Sequence, residues 1–475
     1  MASLLSRTLA GLGKTASLTV AKTLVDAATL YAIIWVLELP ELTGDLFWIL
    51  VWVEIFHFLS NLGGQRYLVQ RPELSDSDVA TVTTTELGAA LLWASVWLFA
   101  SPTLLRAVGW GHLGNTAQVM TLWLITERLG QPARALLERD LRFGRSNGSL
   151  FIGTLVMSAV AVSLAIAGWG VQSFLIGRVC QSATSAVLLW TFAGRPPRLG
   201  WSREAARPYL RFGLPIFFAE LMQLYYKRIP ELIIGTVLQS RAVLGVYSVA
   251  VRLPDYLRQI QDISGAVVYS AFSRARSEES LCEGFQLATK YSAAVGLLPL
   301  TLVLVLGAGV VDHLLPPGYG GITVALQIFT ALAVFRIITN HWFFAYLSKG
   351  RTGAIPFLAL LNATGVTIGA AIGIRWGITG VAIGVTVPNA LVILLAIEVF
   401  LKRVLPVRYL PAVALPLTVA AVTLLAGLAL GPLGLDQHVA WQFWTAVALL
   451  TTLYVALGLA LDARALLAMW RRARS

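Results

Sequence analysis

Apolar runs of about 20 residues alternate with short polar segments along almost the whole of this 475-residue chain. Runs of that length match the thickness of a bilayer crossed by a helix. Barrel strands would be about half as long and would alternate apolar with polar positions. The pattern predicts an all-α polytopic membrane protein of about 14 transmembrane helices. The expected spans are 15–37, 45–62, 80–104, 114–136, 147–168, 170–192, 209–235, 243–270, 288–311, 322–347, 354–374, 377–401, 409–430 and 440–462. The Gly168-Trp169-Gly170 connection marks a tight antiparallel hairpin. The longest hydrophilic stretches, Gly194–Arg211 and Ser273–Lys290, are too short for a soluble enzymatic domain.

Composition agrees. The chain is 57% apolar and only 13% charged, whereas soluble domains sit near a quarter charged. Its net charge of +12 does not indicate nucleic acid, because the basic residues fall between the apolar runs and not on one soluble face. Alternate loops carry nearly all of them, from Arg66, Arg71 and Arg139 through Arg195, Arg203 and Arg274 to Lys402 and Arg471. The opposite set holds little beyond Arg106, Arg241 and Arg375. By the positive-inside rule both termini are expected in the cytoplasm, in agreement with an even span count. Cys180 and Cys282 stand far apart and imply no disulfide framework. The first apolar run holds Lys22 and Asp26 within it, unlike a cleavable signal.

The chain also resembles itself. Ala167-Gly-Trp-Gly-Val-Gln-Ser-Phe-Leu-Ile-Gly177 matches Ile374-Arg-Trp-Gly-Ile-Thr-Gly-Val-Ala-Ile-Gly384, with Trp169, Gly170 and Gly177 falling on Trp376, Gly377 and Gly384. Gly64 matches Gly265 at a slightly smaller offset. Two six-span halves of the same orientation are expected, 1–193 and 194–405, followed by two extra spans in 406–475. Parallel repeats of this kind place a substrate site between the halves.

Charges inside spans locate the candidate chemistry, since each costs roughly 2.5–3.5 kcal/mol at a lipid-facing helix centre. Thr15, Thr19, Lys22, Asp26 and Thr29 share one face of span 1 at steps of three and four. Glu220, Gln223, Lys227 and Glu231 do so in span 7, and Arg252, Asp255, Gln259 and Asp262 in span 8. Span 2 adds Glu54 and Asn61, with His57 near that face; Arg336 and Asn340 share a face of span 10. At the Gly64-to-Gly265 offset, Glu54 falls on Asp255 and Asn61 on Asp262, so periodicity and duplication select the same faces. A water-accessible, partly cationic cavity lined by spans 1, 2, 7 and 8 is expected. Lys22 with Asp26 also reads as a structural i,i+4 pair, and Arg228 and Arg258 as end residues that snorkel to headgroups. Pro215 and Pro254 would allow spans 7 and 8 to bend, or only kink them.

No enzymatic motif emerges. Gly11-Leu-Gly-Lys-Thr15 ends like a phosphate-binding loop, but its first glycine position is Thr8 and no strand precedes it. The five histidines lack metal-ligand spacing, and the Asn147-Gly-Ser149 sequon falls on the expected cytoplasmic side. No cofactor is expected, apart from possible coupling to H⁺ or Na⁺.

Four stretches resemble one family in their order and spacing. They are Asn61-Leu-Gly-Gly-Gln-Arg-Tyr-Leu-Val-Gln-Arg-Pro-Glu-Leu-Ser75, Leu137-Glu-Arg-Asp-Leu-Arg-Phe143, Arg211-Phe-Gly-Leu-Pro215, and Ile234-Gly235 followed by Leu244-Gly-Val-Tyr247. Together they are similar to bacterial oligosaccharide flippases of the multidrug/oligosaccharidyl-lipid/polysaccharide exporter superfamily, over residues 15 to 405. The resemblance implies two six-helix lobes in a V and alternating access. It implies a polyprenyl-diphosphate-linked oligosaccharide as cargo, moved to the outer leaflet of the inner membrane for capsule, O-antigen or exopolysaccharide synthesis. Membrane lipids, a polysaccharide polymerase and chain-length proteins would be partners. Under that reading Lys22, Asp26, Lys227, Arg252, Asp255 and Arg336 are candidate substrate-binding residues, with Lys22, Lys227 and Arg252 as diphosphate clamps. Asp26, Glu54 and Glu220 are candidates for ion coupling, and Tyr225 and Tyr226 for sugar stacking or core packing. The alternatives are a multidrug cation antiporter, which would want an acidic cavity, and a lipid II flippase. A membrane-embedded glycosyltransferase or polymerase would need a large loop or an acidic catalytic cluster, and neither is evident.

Overall fold

A computed structural model describes residues 2–71, 73–273, 277–351, 353–430 and 435–474, with side chains described outside 2–16, 219, 260–267, 269–271, 273 and 464–474. The side chains of Thr15 and Asp262, named above, therefore lie outside the described set, as does Arg274. The described residues are helical and contain no strand. The helices are α1 Ala2–Leu37, α2 Pro40–Leu59, α3 Gly64–Gln70, α4 Asp76–Ala107, α5 Gly114–Ala117, α6 Met120–Arg139, α7 Phe143–Ile166, α8 Val171–Ala193 and α9 Arg203–Ile233. They continue with α10 Arg241–Ser273, α11 Glu278–Leu314, α12 Thr323–Thr339, α13 His341–Ser348, α14 Ala354–Gly373, α15 Gly377–Leu395, α16 Tyr409–Leu428 and α17 Ala440–Arg474. π-helical turns, Ile234–Leu238 and Ala396–Leu401, extend α9 and α15.

Most expected spans coincide with one long helix, several of which run further than the apolar run; span 322–347 is divided at Asn340 between α12 and α13, and span 114–136 between α5 and α6. Span 80–104 lies within α4, which starts at a capping box where Ser75 Oγ accepts from the Asp78 amide at 3.1 Å and Asp78 accepts from the Ser75 amide at 3.0 Å. The stretch Ser273–Lys290, expected as a hydrophilic connection, already contains the start of α11, capped by Ser277 and Ser280. Hydropathy senses the length of chain in lipid, whereas capping decides where a helix begins. Among the described residues nine stretches are long and apolar enough to cross a membrane by length and composition. The remaining long helices, α6, α8, α9 and α10, carry more polar residues inside them. Pro215 and Pro254 lie within continuous helices.

The chain forms two compact units, Met1–Ser248 and Val249–Ser475, with the boundary inside α10. In the first unit α2 is the most enclosed helix; Leu46 to Val51 and Val53 are all buried. It runs against α9 and the start of α10 on a seam of glycines. A Cβ on Gly213 would meet the Leu62 carbonyl at 1.9 Å, one on Gly235 the Trp48 ring at 2.1 Å, and one on Gly245 the Pro40 carbonyl at 2.0 Å. Only hydrogen at these positions lets the backbones approach so closely. In the second unit α16 and α17 pack on α11. Tyr454 Oη donates to the Ala294 carbonyl at 2.8 Å, and Lys290 forms an ion pair with Asp462.

The matched hairpins of the internal repeat share their geometry. Gly170 (φ 53°, ψ −133°) and Gly377 (φ 65°, ψ −152°) adopt the same positive-φ conformation, open only to glycine. Their partners Gly177 and Gly384 both sit at close crossings: a Cβ would meet Ala161 Cβ at 2.8 Å in the first and the Gly369 carbonyl at 2.0 Å in the second. Replacing Gly384 with leucine is expected to destabilise the protein by about 1–3 kcal/mol or more through overpacking. Gly458→Leu, where nothing lies within 4 Å, should be tolerated. Size-exclusion chromatography after a thermal ramp separates these outcomes; equal melting of the two variants would contradict the tight crossing.

Candidate functional site

Asp45 and Glu54 of α2, and Asn61 just beyond its end, meet partners along that seam, in descending order here and ascending order on α9 and α10. Near the C-terminal end, Asn61 Nδ2 donates to Glu220 Oε2 at 2.6 Å, and Arg66 forms a 2.7 Å ion pair with the same carboxylate. About two turns further in, Arg228 Nε donates to Glu54 Oε2 at 2.8 Å, while its Nη1 donates to Glu231 at 2.7 Å. At the N-terminal end, Arg241 Nε donates to Asp45 Oδ1 at 2.8 Å and its Nη2 closes a second bond to Oδ2. His112 approaches the same Asp45 at 3.1 Å.

Arg228 overturns one expectation. It does not snorkel to a headgroup; its side chain is 5% exposed and is held between two carboxylates. Its neighbour Lys227 is exposed, as is Gln223, so the α9 stripe divides into a buried part and an open part. A guanidinium suits the buried position because its rigid fork serves two acceptors at once. Glu54, Arg228 and Glu231 together carry one more carboxylate than cation.

A second hub lies beside the Asn61 end. Arg128, 4% exposed, donates from Nε to Ser60 Oγ at 3.0 Å and from Nη2 to His57 Nε2 at 3.0 Å and the His57 carbonyl at 2.8 Å. Arginine cannot accept, so His57 Nε2 accepts and the ring is neutral. Glu86, 2% exposed, faces Arg128 at 3.5 Å and accepts from the Gly64 amide at 2.8 Å and Tyr209 Oη at 3.1 Å. The hub ties α2, α3, α4, α6 and α9 together. The Asn61–Ser75 stretch that carried the family resemblance is thus the strap these groups hold. Glu86 and Arg128 are not included in the charge stripes of spans 1, 2, 7, 8 and 10. They lie inside expected spans 80–104 and 114–136, so the cost of an intramembrane charge alone flags them.

The remaining candidates sit as follows. Lys22 pairs with Asp26 on α1, and Thr29 of the same stripe reaches Ser158 of α7 at 2.6 Å. In the second unit Asp255 pairs with Arg258 at 2.8 Å, Arg252 is half-buried, and Arg336 Nε donates to Asn389 Oδ1 at 3.1 Å. The first unit thus brings Glu54 and Glu220 onto one seam, and holds Lys22 with Asp26 on another helix. Among the described residues no group of three or more His, Cys, Asp or Glu could hold a metal ion.

Removing Arg228 would take from the buried Glu231 and the half-buried Glu54 the guanidinium that donates to both, a change expected to cost about 3–5 kcal/mol. Arg228→Met should therefore lower the melting temperature sharply. Adding Glu54→Gln and Glu231→Gln to it should recover most of the loss. A triple variant no more stable than the single one would show that charge compensation is not what Arg228 provides.

Residues 44–316 match the family described as polysaccharide biosynthesis protein. No curated protein matches the chain in sequence. Among solved structures, the lipid II flippase MurJ in an inward closed conformation superposes with a TM-score of 0.71 at 11% identity, covering 97% of this chain and 99% of that one. An inward-facing multidrug resistance MATE family transporter of the MOP superfamily gives 0.61 at 18% identity, over 79% and 92%. A MOP superfamily transporter from Pyrococcus furiosus, described as having a binding pocket of reverse polarity, gives 0.58 at 17%, over 81% and 93%. These likenesses establish the fold.

Proposed function

Because the chain belongs to the polysaccharide biosynthesis protein family and has the fold of MOP superfamily transporters, we propose that it is a flippase for polyprenyl-diphosphate-linked oligosaccharide. It would turn that lipid from the cytoplasmic to the outer leaflet of the inner membrane, for capsule, O-antigen or exopolysaccharide synthesis. A polymerase and chain-length proteins would take the product onward. The observation that carries the reading is the family match together with a line of charged groups inside apolar helices, paired to one another within the first unit.

A diphosphate needs cations that are still exposed. Arg228 and Arg128 are committed to buried partners, whereas Lys227 is exposed on α9 and Lys22 is half-buried on α1. Lys22 and Lys227 are therefore the clamps we favour in the first unit, with Arg252 and Arg336 serving the second. Asp26 and Asp255 would tune the charge of their partners. A cation lowers the cost of bringing a diphosphate out of water, and ammonium groups bind it as mobile point charges. The carboxylates of Glu54 and, on the same seam, Glu220 would bind the proton or Na⁺ that drives the cycle.

A lipid II flippase is the second reading. It is favoured by the likeness to MurJ along nearly the entire chain, where the multidrug transporter cited above covers 79%. Both readings share a polyprenyl-diphosphate headgroup and differ in the sugar. A multidrug cation antiporter fits less well, since the exposed charge of the α9 stripe, Lys227, is a lysine.

Flipping of a radiolabelled polyprenyl-diphosphate oligosaccharide in proteoliposomes tests the proposal. The wild type should flip it, and Lys22→Ala and Lys227→Ala should each slow flipping about tenfold, the loss expected when one charge-assisted contact of about 1.5 kcal/mol disappears. Wild-type rates in both variants would remove the clamp assignment. Absence of flipping, with ion-coupled efflux of organic cations, would replace the proposal by the antiporter.

A further inference from the structure

A cavity of about 630 Å³ opens at the N-terminal end of α2, between the Asp45 cluster and the α7–α8 hairpin. It belongs wholly to the first unit. By the positive-inside rule this end, poor in basic loop residues, is the outer one. Arg241, which stood out in the sequence as one of few basic residues on this side, lines the cavity with Asp45, His112, Thr116, Trp169 and Gln172.

We propose that this cavity is a glycan-binding subsite, which holds the sugar portion of the cargo at the outer face. The proposal rests on the flippase reading above.

Three features lead to it. The polar groups are pinned before any ligand arrives. Asp45 is buried, 3% exposed, and fixes the half-exposed Arg241 and His112. The His112 ring is also stacked on Trp110 at 6.2 Å. Pre-set donors bind at lower entropic cost than mobile ones. The charge is balanced, since Arg241 directs two of its N–H groups to Asp45. A phosphate therefore finds little net attraction, while hydroxyls find Thr116, Gln172 and the outward edges of His112 and Arg241. Finally, Trp169 is 51% exposed on the wall. A pyranose presents an apolar C–H face and a hydroxylated edge, which matches an indole beside fixed polar groups.

The repeat supplies a control. Trp376, the match of Trp169, is also exposed, but the cavity beside it is lined by glycines and apolar residues with Thr379. Placement in an interfacial aromatic belt accounts for both tryptophans. It does not account for the pinned polar groups beside Trp169.

The test uses the full chain in nanodiscs. The probe is the free oligosaccharide released by mild acid from the polyprenyl-linked pool of the cells that make the protein. Saturation-transfer NMR should show transfer to the sugar C–H protons. Trp169→Ala should weaken binding about tenfold and Trp169→Phe should restore most of it. Gln172→Ala should weaken it as well, and inorganic phosphate should not displace the sugar. No transfer with the wild type, unchanged binding in Trp169→Ala, or displacement by phosphate would overturn the proposal. Flipping of the lipid-linked form, measured on the same preparation, keeps the two readings apart. Flipping without free-sugar binding defeats the subsite alone. Sugar binding sensitive to Trp169 without flipping defeats the flippase reading and leaves the subsite standing.

Discussion

A helix enclosed on nearly every side cannot carry uncompensated charge, and α2 carries Asp45, Glu54 and His57, with Asn61 just beyond its end. Each costs free energy in an apolar interior unless a partner arrives with matching geometry. The first unit meets this demand along one antiparallel seam. Asn61 meets Glu220, Glu54 meets Arg228 and Asp45 meets Arg241, in register from one end of α2 to the other. Glycines at 213, 235 and 245 bring the backbones close enough for these short side-chain contacts to form. Charge pairing and close packing therefore depend on the same alignment, and a shift of one turn would break both.

The hub around Arg128 extends this logic to the strap that follows α2. The Gly64 amide, Tyr209 and Arg128 all converge on Glu86, so α3 is held against α4, α6 and α9 by one buried carboxylate. The family-like sequence of the strap is thus part of the structural core of this end. Cations spent on such pairs are not available to a ligand. Burial separates Arg228 and Arg128 from Lys227, which is exposed on α9.

The last two helices are attached by other means. Lys290 with Asp462, Tyr454 with the Ala294 carbonyl, and Gln437 with the Gly309 amide at 3.2 Å join them to α11. They brace a single long helix of the second unit through contacts near both of its ends.

The sequence by itself determined that the chain is helical and membrane-embedded, where its long helices lie, and which helices hold charge. These follow from local rules, since run length, loop charge and the cost of an ion in lipid are properties of short segments. It also marked Glu54, Glu220, Lys22 and Asp26, because stripes at steps of three and four are visible in one dimension. Only the tertiary structure decided who pairs with whom. Arg228 looked like an end residue and is the most committed cation of the seam; Glu86 and Arg128, outside the charge stripes, anchor a five-helix hub; Arg241 looked like an exception to loop charge and answers Asp45. A pairing joins residues up to 196 positions apart, and no periodicity within a helix encodes which distant helix will supply the counter-charge.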